Sequence, residues 1–215
     1  MSLLGRTGLD PKSWAKSLEN SRKVILICAL GFVLALLGLR LLGTATDAYL
    51  AVALYHSIPD DLVPLFYGLA TVGDLIWAPL VFWLYVFRRD RNEWTGSLIL
   101  AVAMVTAMGL TDLLKAAFNL PRPFQVASLG IAARGAIPTN PGFPSGHTTS
   151  VFTVATVMWS RYPASRSPFI ALAVATGVSM IILGLHFPSD VVGGAFLGIF
   201  CGTFVLGLAK IRSNN

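Results

Sequence analysis

Long apolar segments recur along the chain and constrain its fold more than any other feature. Residues 24–43 and 191–209, for example, form nearly continuous apolar stretches. A helix that rises ~1.5 Å per residue needs about 20 such residues to cross a hydrocarbon core of ~30 Å. Hydrophobic residues make up 55% of the chain and charged residues 12%, and the mean hydropathy is +0.71. The sequence therefore predicts an all-α integral membrane protein.

Six segments of this kind alternate with polar, basic or proline-rich stretches. We expect transmembrane helices at residues 24–43, 62–87, 95–118, 146–160, 169–185 and 191–209. A short interfacial helix is expected at residues 44–61, ending at Pro59. The polar, basic residues 1–23 are expected to form a cytoplasmic N-terminal segment. With no internal repeat or second domain, residues 1–215 are predicted to form a single transmembrane domain.

Basic residues predict the orientation of these spans. Most of the 16 Lys and Arg fall in segments that the topology places on one side, namely Arg6, Lys12, Lys16, Arg22, Lys23, Arg88, Arg89, Arg91, Arg161, Arg166, Lys210 and Arg212. Because positive charge favours the cytoplasmic side, both termini are predicted to be cytoplasmic. Membrane orientation accounts for the net charge of +6, so no nucleic-acid partner is expected. The oligomeric state is left open.

A candidate anion site lies at the start of the fourth predicted span. Pro144, Ser145, Gly146 and His147 stand where a polar loop becomes an apolar run that begins at Thr148. A helix start offers unpaired N–H groups and the positive end of the helix dipole, which together suit a phosphate. Glycine permits close approach to the backbone, and histidine adds a group that exchanges protons near neutral pH.

The predicted topology brings further polar residues to the same outer face. Lys115 ends the third span, and Arg122 follows it between two prolines; both cations suit phosphate oxygens. His186 and Asp190 are four residues apart. That spacing lets the carboxylate bind one ring nitrogen and leaves the other available as a nucleophile.

Three ordered motifs give the chain a family resemblance. They are Lys115 with Arg122-Pro123, then Pro144-Ser145-Gly146-His147, then Ser179 with His186 and Asp190. Together they resemble the signature motifs of the type 2 phosphatidic acid phosphatase family, whose superfamily also includes vanadium haloperoxidases and glucose-6-phosphatase. The match covers residues 115–190. One position departs from the pattern, because Met180 stands where the third motif has arginine after serine.

The resemblance implies a two-step phosphoryl transfer through a phosphohistidine. His186 would be the nucleophile, Asp190 would orient it, and His147 would act as acid and then base. The equatorial oxygens would be held by Lys115, Arg122, Ser145 and Gly146. The mechanism implies no cofactor or metal, and the sequence shows no group of ligands at metal spacing.

Two more residues are candidates for supporting roles. Arg134, in the outer loop, is a candidate substitute for the missing arginine, or else a solvated loop charge. Asp112 precedes Lys115 by three residues and is a candidate to orient its ammonium group. Loss of a charge-assisted contact at Met180 costs about 2 to 4 kcal/mol of transition-state stabilisation by analogy with an oxyanion donor, so weakened or altered activity is expected.

We therefore expect a lipid phosphatase of the bacterial inner membrane with its active site facing the periplasm. The substrate enters from the bilayer, and undecaprenyl diphosphate, phosphatidic acid, phosphatidylglycerol phosphate and lipid A 1-phosphate all fit. One alternative is a lipid-to-lipid phosphotransferase with the same mechanism. Another is a catalytically impaired lipid-phosphate binder, for which Met180 is the argument, although retention of His147, His186 and Asp190 speaks against it.

Overall fold

The computed structural model describes residues 43–75, 91–162 and 166–212, with separate positions at 23, 26–27, 29–31, 33–34, 78 and 80–81. The predicted N-terminal segment up to residue 22 lies outside the described residues. So do much of the first predicted span and the end of the second, with the basic residues Arg88 and Arg89 that follow it.

Six α-helices account for most of the described chain. They are α1 (Gly43–His56), α2 (Val63–Leu75), α3 (Arg91–Phe118), α4 (Gly146–Arg161), α5 (Arg166–Ile182) and α6 (Pro188–Arg212). Three single-turn 3-10 helices cover Asp60–Leu62, Pro123–Gln125 and Ala127–Leu129. No strand occurs in the described ranges, which confirms the all-α prediction for that part of the chain.

Within the described residues, two segments are long and apolar enough to cross a membrane, namely Gly96–Leu129 and Pro188–Ala209. They contain most of α3 and α6. Helix α5 is also apolar but shorter. Large apolar side chains such as Leu98, Val105 and Leu113 on α3 are more than half exposed, as expected where lipid replaces water as the solvent.

Close packing of α4 against α6 fixes the centre of the fold. Gly194, Gly198 and Gly202 follow one another at four-residue intervals and therefore share one face of α6. A Cβ atom added at Gly194 would lie 2.6 Å from the carbonyl oxygen of Ser145, and one at Gly198 would lie 2.5 Å from that of Thr149. Small residues at this spacing let two helix backbones approach closely.

The remaining helices surround this pair. Helix α3 packs against both α4 and α6, while α5 packs against α4 and α2, and α1 contacts α5 and α6. A buried apolar cluster that includes Leu100, Met104 and Val154 joins α3 to α4. This arrangement brings the end of α3, the start of α4 and the start of α6 together at one end of the bundle.

Candidate active site

The turn between α5 and α6 holds a histidine and a carboxylate in contact. His186 Nδ1 lies 3.2 Å from Asp190 Oδ2, and that oxygen also accepts a hydrogen bond of 2.9 Å from the backbone N–H of Phe187. Both side chains are buried. Since Oδ2 is already an acceptor for the Phe187 N–H, we assign the proton between it and the ring to Nδ1, which leaves a lone pair on Nε2.

Arg122 lies directly over that lone pair. Its Nη1 is 2.9 Å from His186 Nε2 and donates at the same distance to the carbonyl oxygen of Leu185. Its Nε donates to the Asn140 carbonyl oxygen at 2.9 Å, and its Nη2 donates to Asn140 Oδ1 at 2.7 Å. The guanidinium is therefore held at the candidate nucleophile mainly by neutral acceptors.

Lys115 is the second buried cation of the site. Its Nζ donates to the carbonyl oxygens of Pro141 at 2.5 Å and Gly142 at 3.2 Å. Gly142 also lies close to the His186–Asp190 pair, because a Cβ atom added at Gly142 would be 3.2 Å from Asp190 Oδ2. One loop, residues 140–142, thus anchors both cations beside the histidine.

Ser145 caps α4 and ties it to α6. Its Oγ accepts hydrogen bonds from Thr148 N at 3.4 Å and Thr148 Oγ1 at 3.0 Å, in the pattern of a helix N-cap. Its backbone N–H donates to the Asp190 carbonyl oxygen at 3.0 Å. The second and third motifs are therefore joined by a direct backbone hydrogen bond, and Gly146 is the first residue of α4.

A cavity of about 180 Å³ opens between α3 and α4. Lys115, Gly146, His147 and Asp112 line it, and Asn140 lies at its side. His147 is only partly buried, so it is accessible to a ligand in the cavity. Asp112 is exposed, and its negative charge attracts the ammonium group of Lys115.

Burial lowers the pKa of His186 well below its usual value of 6.5. The positive charges of Arg122 and Lys115 and the imidazole of His147 lower it further. The imidazole is therefore neutral around pH 7, as a nucleophile must be. The arrangement as a whole combines an oriented neutral histidine, a second histidine beside the cavity and two cations for an anion.

Comparison with known proteins assigns this site to a family. The family model described as PAP2 superfamily matches residues 96–213, more than half of the chain and all three motifs. The chain belongs to the PAP2 superfamily. A solved structure of similar fold is the transmembrane PAP2 type phosphatidylglycerolphosphate phosphatase from Bacillus subtilis. Its TM-score is 0.73 at 23% identity, covering 87% of this chain and 96% of that one.

Several curated relatives of this PAP2 protein are named as lipid phosphatases. The lipid A 1-phosphatase of Rhizobium etli is 30% identical over 109 residues, which are 49% of this chain and 47% of the relative. The undecaprenyl-diphosphatase of Sulfolobus acidocaldarius is 26% identical over 178 residues, 80% of this chain and 84% of the relative. The chain spans about half the length of the lipid A 1-phosphatases it matches. Together with the apolar α3 and α6, these likenesses indicate a membrane protein.

Met180, the departure from the family pattern, lies in an apolar part of this PAP2 fold. It is 1% exposed and belongs to a cluster of buried side chains with Ala70, Leu183 and Leu185. Its backbone carbonyl accepts hydrogen bonds from the N–H groups of Leu185 and His186. Residue 180 thus supports the turn between α5 and α6 through its backbone while its side chain fills the core.

Arg134, the candidate substitute for the missing arginine, contacts residues outside the candidate site. Its Nη1 donates to the carbonyl oxygen of Tyr55 at 2.9 Å, its Nη2 pairs with Asp60 Oδ1 at 3.0 Å, and its guanidinium carbon lies 3.8 Å from the centre of the Tyr55 ring. These contacts tie the outer loop to α1 and to the turn after it. We therefore do not include Arg134 among the proposed phosphate-binding residues.

The sequence-based prediction did not include Asn140, Pro141, Gly142 or Asp47. The first three accept hydrogen bonds from the two cations, and their position in a polar loop just before the second motif was the available signal. Asp47, on α1, receives hydrogen bonds from Ser189 N at 3.0 Å and Ser189 Oγ at 2.5 Å, one residue before Asp190. No local pattern links two residues 142 positions apart.

Proposed function

We propose that this chain is a membrane lipid phosphatase that works through a phosphohistidine at His186. One observation carries the proposal: the buried imidazole has Nδ1 bound to Asp190 and Nε2 directed at Arg122. A structural histidine needs no such arrangement of cation and neutral nucleophile. The lipid phosphatases among the named relatives support the same reaction class.

In the first step, Nε2 of His186 attacks the phosphorus atom of the lipid. The new P–N bond forms as the P–O bond to the leaving group breaks, and the leaving oxygen takes a proton from His147. Asp190 remains hydrogen-bonded to the proton on Nδ1 and stabilises the positive charge that develops on the ring. The product is a free lipid alcohol, or a lipid monophosphate if the substrate is a diphosphate.

In the second step, water breaks the phosphohistidine. His147, now neutral, accepts a proton from the water as its oxygen attacks phosphorus. The P–N bond breaks, its electron pair returns to Nε2, and inorganic phosphate leaves. Both histidines end in their starting protonation states, because His147 gives up one proton in the first step and takes one from water in the second.

Lys115 and Arg122 stabilise the charge on the phosphoryl oxygens during both steps. Arg122 exchanges its contact with Nε2 for the incoming phosphoryl group, while its bonds to Asn140 hold the guanidinium in place. Gly146 contributes the backbone at the start of α4, where the helix dipole favours an anion. Preorganised charge of this kind supplies most of the catalysis in phosphoryl transfer.

The proposed setting is a six-span protein with both termini in the cytoplasm and the site at the periplasmic face of a bacterial inner membrane. The apolar α3 and α6 support the membrane location. The cavity between α3 and α4 lies beside the outer part of a segment long enough to span a bilayer. A phosphate at headgroup level reaches the site while its lipid tail stays in the bilayer. The substrate class is a lipid phosphate ester or diphosphate.

Phosphate release by the purified protein in detergent tests the proposal. Undecaprenyl diphosphate, phosphatidic acid, phosphatidylglycerol phosphate and lipid A 1-phosphate form the panel. We expect release from at least one lipid, and loss of that release in His186→Ala. His56→Ala, which removes an exposed histidine at the end of α1, is the matched control and should keep the wild-type rate.

The other outcomes separate the rival functions. Phosphate recovered on a second lipid instead of in solution indicates a phosphotransferase. Binding without release from any of the four lipids indicates the impaired binder. Release that persists in His186→Ala contradicts the proposed nucleophile.

A further inference from the structure

Thr111 on α3 has a buried hydroxyl with no partner. Its side chain is 4% exposed, and within the described part of the chain its Oγ1 is the buried side-chain polar atom that lacks a hydrogen bond. Five other helical threonines donate to the carbonyl oxygen four residues earlier, namely Thr71, Thr106, Thr149, Thr153 and Thr156. Thr111 gives up that common local bond.

The position of Thr111 relates this hydroxyl to the active site. Thr111 stands one helical turn before Lys115, and both line the cavity of about 180 Å³ together with Gly146 and His147. Its methyl carbon is 3.7 Å from the point where a Cβ atom of Gly146 would lie. The residue thus separates the end of α3 from the start of α4 where the phosphate is proposed to bind.

A missing partner at this place is costly for a folded protein. An unsatisfied buried hydroxyl carries the desolvation penalty of the group, and such groups are uncommon in proteins. A ligand oxygen in the cavity would remove the penalty when it binds. Ser145 Oγ accepts hydrogen bonds from Thr148 and keeps its own proton to donate, and a hydroxyl on α3 would add a second donor from another helix.

We propose that Thr111 donates a hydrogen bond to a phosphoryl oxygen of the substrate, beside Lys115. This inference rests on the proposed function and adds a substrate-contacting residue to it. The neutral hydroxyl of Thr111 supplements the two cations of the site. On α3, Lys115 would then bind the phosphate through its charge and Thr111 through a directed hydrogen bond.

Three variants of α3 test the assignment. Thr111→Val keeps the shape and removes the hydroxyl, Thr111→Ser keeps the hydroxyl, and Thr106→Val is the matched control whose threonine bonds to Val102. We expect Thr111→Val to lower kcat/KM about 10-fold to 100-fold, the range for a hydrogen bond to a charged group. Thr111→Ser and Thr106→Val should stay within about threefold of the wild type.

Two further readouts separate substrate contact from a structural role. Because Thr111→Val removes an unsatisfied polar group, its melting temperature should equal or exceed that of the wild type. Its kcat/KM should fall by the same factor for the lipid and for p-nitrophenyl phosphate, which shares only the phosphoryl group. Loss confined to the lipid, or a melting temperature lowered in step with activity, overturns the assignment; Thr111→Ala replaces Thr111→Val if the latter fails to fold.

The inference and the proposed function fail in different ways. A wild-type protein that releases no phosphate from any lipid defeats the proposed function. Calorimetric binding of inorganic phosphate then still tests Thr111: weaker binding by Thr111→Val than by the wild type supports the contact, and equal binding overturns it. An active wild type matched by an equally active Thr111→Val defeats the inference alone.

Discussion

Met180→Arg restores the residue of the family's third motif, yet we expect it to impair this protein. Met180 is 1% exposed and packs with Ala70, Leu183 and Leu185. An arginine there places a charge among apolar side chains, at a penalty of several kcal/mol when the ion is unpaired. Since folded proteins are stable by only about 5 to 15 kcal/mol, this penalty is a large share of the total.

The opposing effect is a gain at the phosphate. A donor that reaches the transition-state charge contributes about 2.7 to 4 kcal/mol, or 100-fold to 1,000-fold in rate. That gain requires the guanidinium to leave the apolar cluster around residue 180 and reach the cavity. We expect the burial penalty to dominate, so that Met180→Arg yields less folded protein and a lower melting temperature.

The assay combines melting temperature in detergent with kcat/KM for phosphate release by the folded fraction. Met180→Leu conserves apolar volume and should cost less than about 1.5 kcal/mol, so it controls for the loss of methionine. A Met180→Arg protein with the wild-type melting temperature and a rate 100-fold higher would refute the reasoning. That result would show that position 180 opens onto the phosphate site.

Further predictions concern the supports of the site. Asp47→Ala removes two hydrogen bonds to Ser189. We expect kcat to fall while KM changes little, and the free energy of unfolding to drop by about 1 to 3 kcal/mol. Steady-state kinetics and chemical denaturation measure the two effects. The pKa of His186 is lowered in the folded state, so below pH 6.5 the unfolded chain binds a proton on this histidine that the folded protein does not. Stability therefore falls with decreasing pH. Between pH 7.5 and 5, the melting temperature should drop more for the wild type than for His186→Gln. Gly198→Ala places a Cβ atom 2.5 Å from a backbone oxygen of α4 and should destabilise the protein by about 1 to 3 kcal/mol. Gly207→Ala, with open space around it, should keep or slightly raise the melting temperature, because alanine favours the helix more than glycine does.

The sequence predicted best the parts of the site that depend on local patterns. The start of α4 at Gly146 follows from a polar cap before an apolar run, and Ser145 is that cap. The pairing of His186 with Asp190 follows from their spacing of four residues. The three motifs also indicated the family that the comparisons show.

Long-range contacts were beyond the reach of sequence patterns. The bonds between Asp47 and Ser189 depend on how α1 packs in three dimensions, and α1 was interpreted only as an interfacial helix. Arg134 was a candidate phosphate ligand because of its positive charge. Its contacts with Tyr55 and Asp60 depend on the packing of distant segments, which the sequence does not show.

Detection of the covalent intermediate tests the central claim most directly. The protein is mixed with a ³²P-labelled lipid phosphate that it hydrolyses, quenched in alkali within one turnover, and the labelled peptide is sequenced by mass spectrometry. We predict one acid-labile, alkali-stable phosphoryl group on His186, which disappears in His186→Ala. If the protein releases phosphate from the lipid but carries no label on His186, or carries the label on another residue, the result would contradict the account.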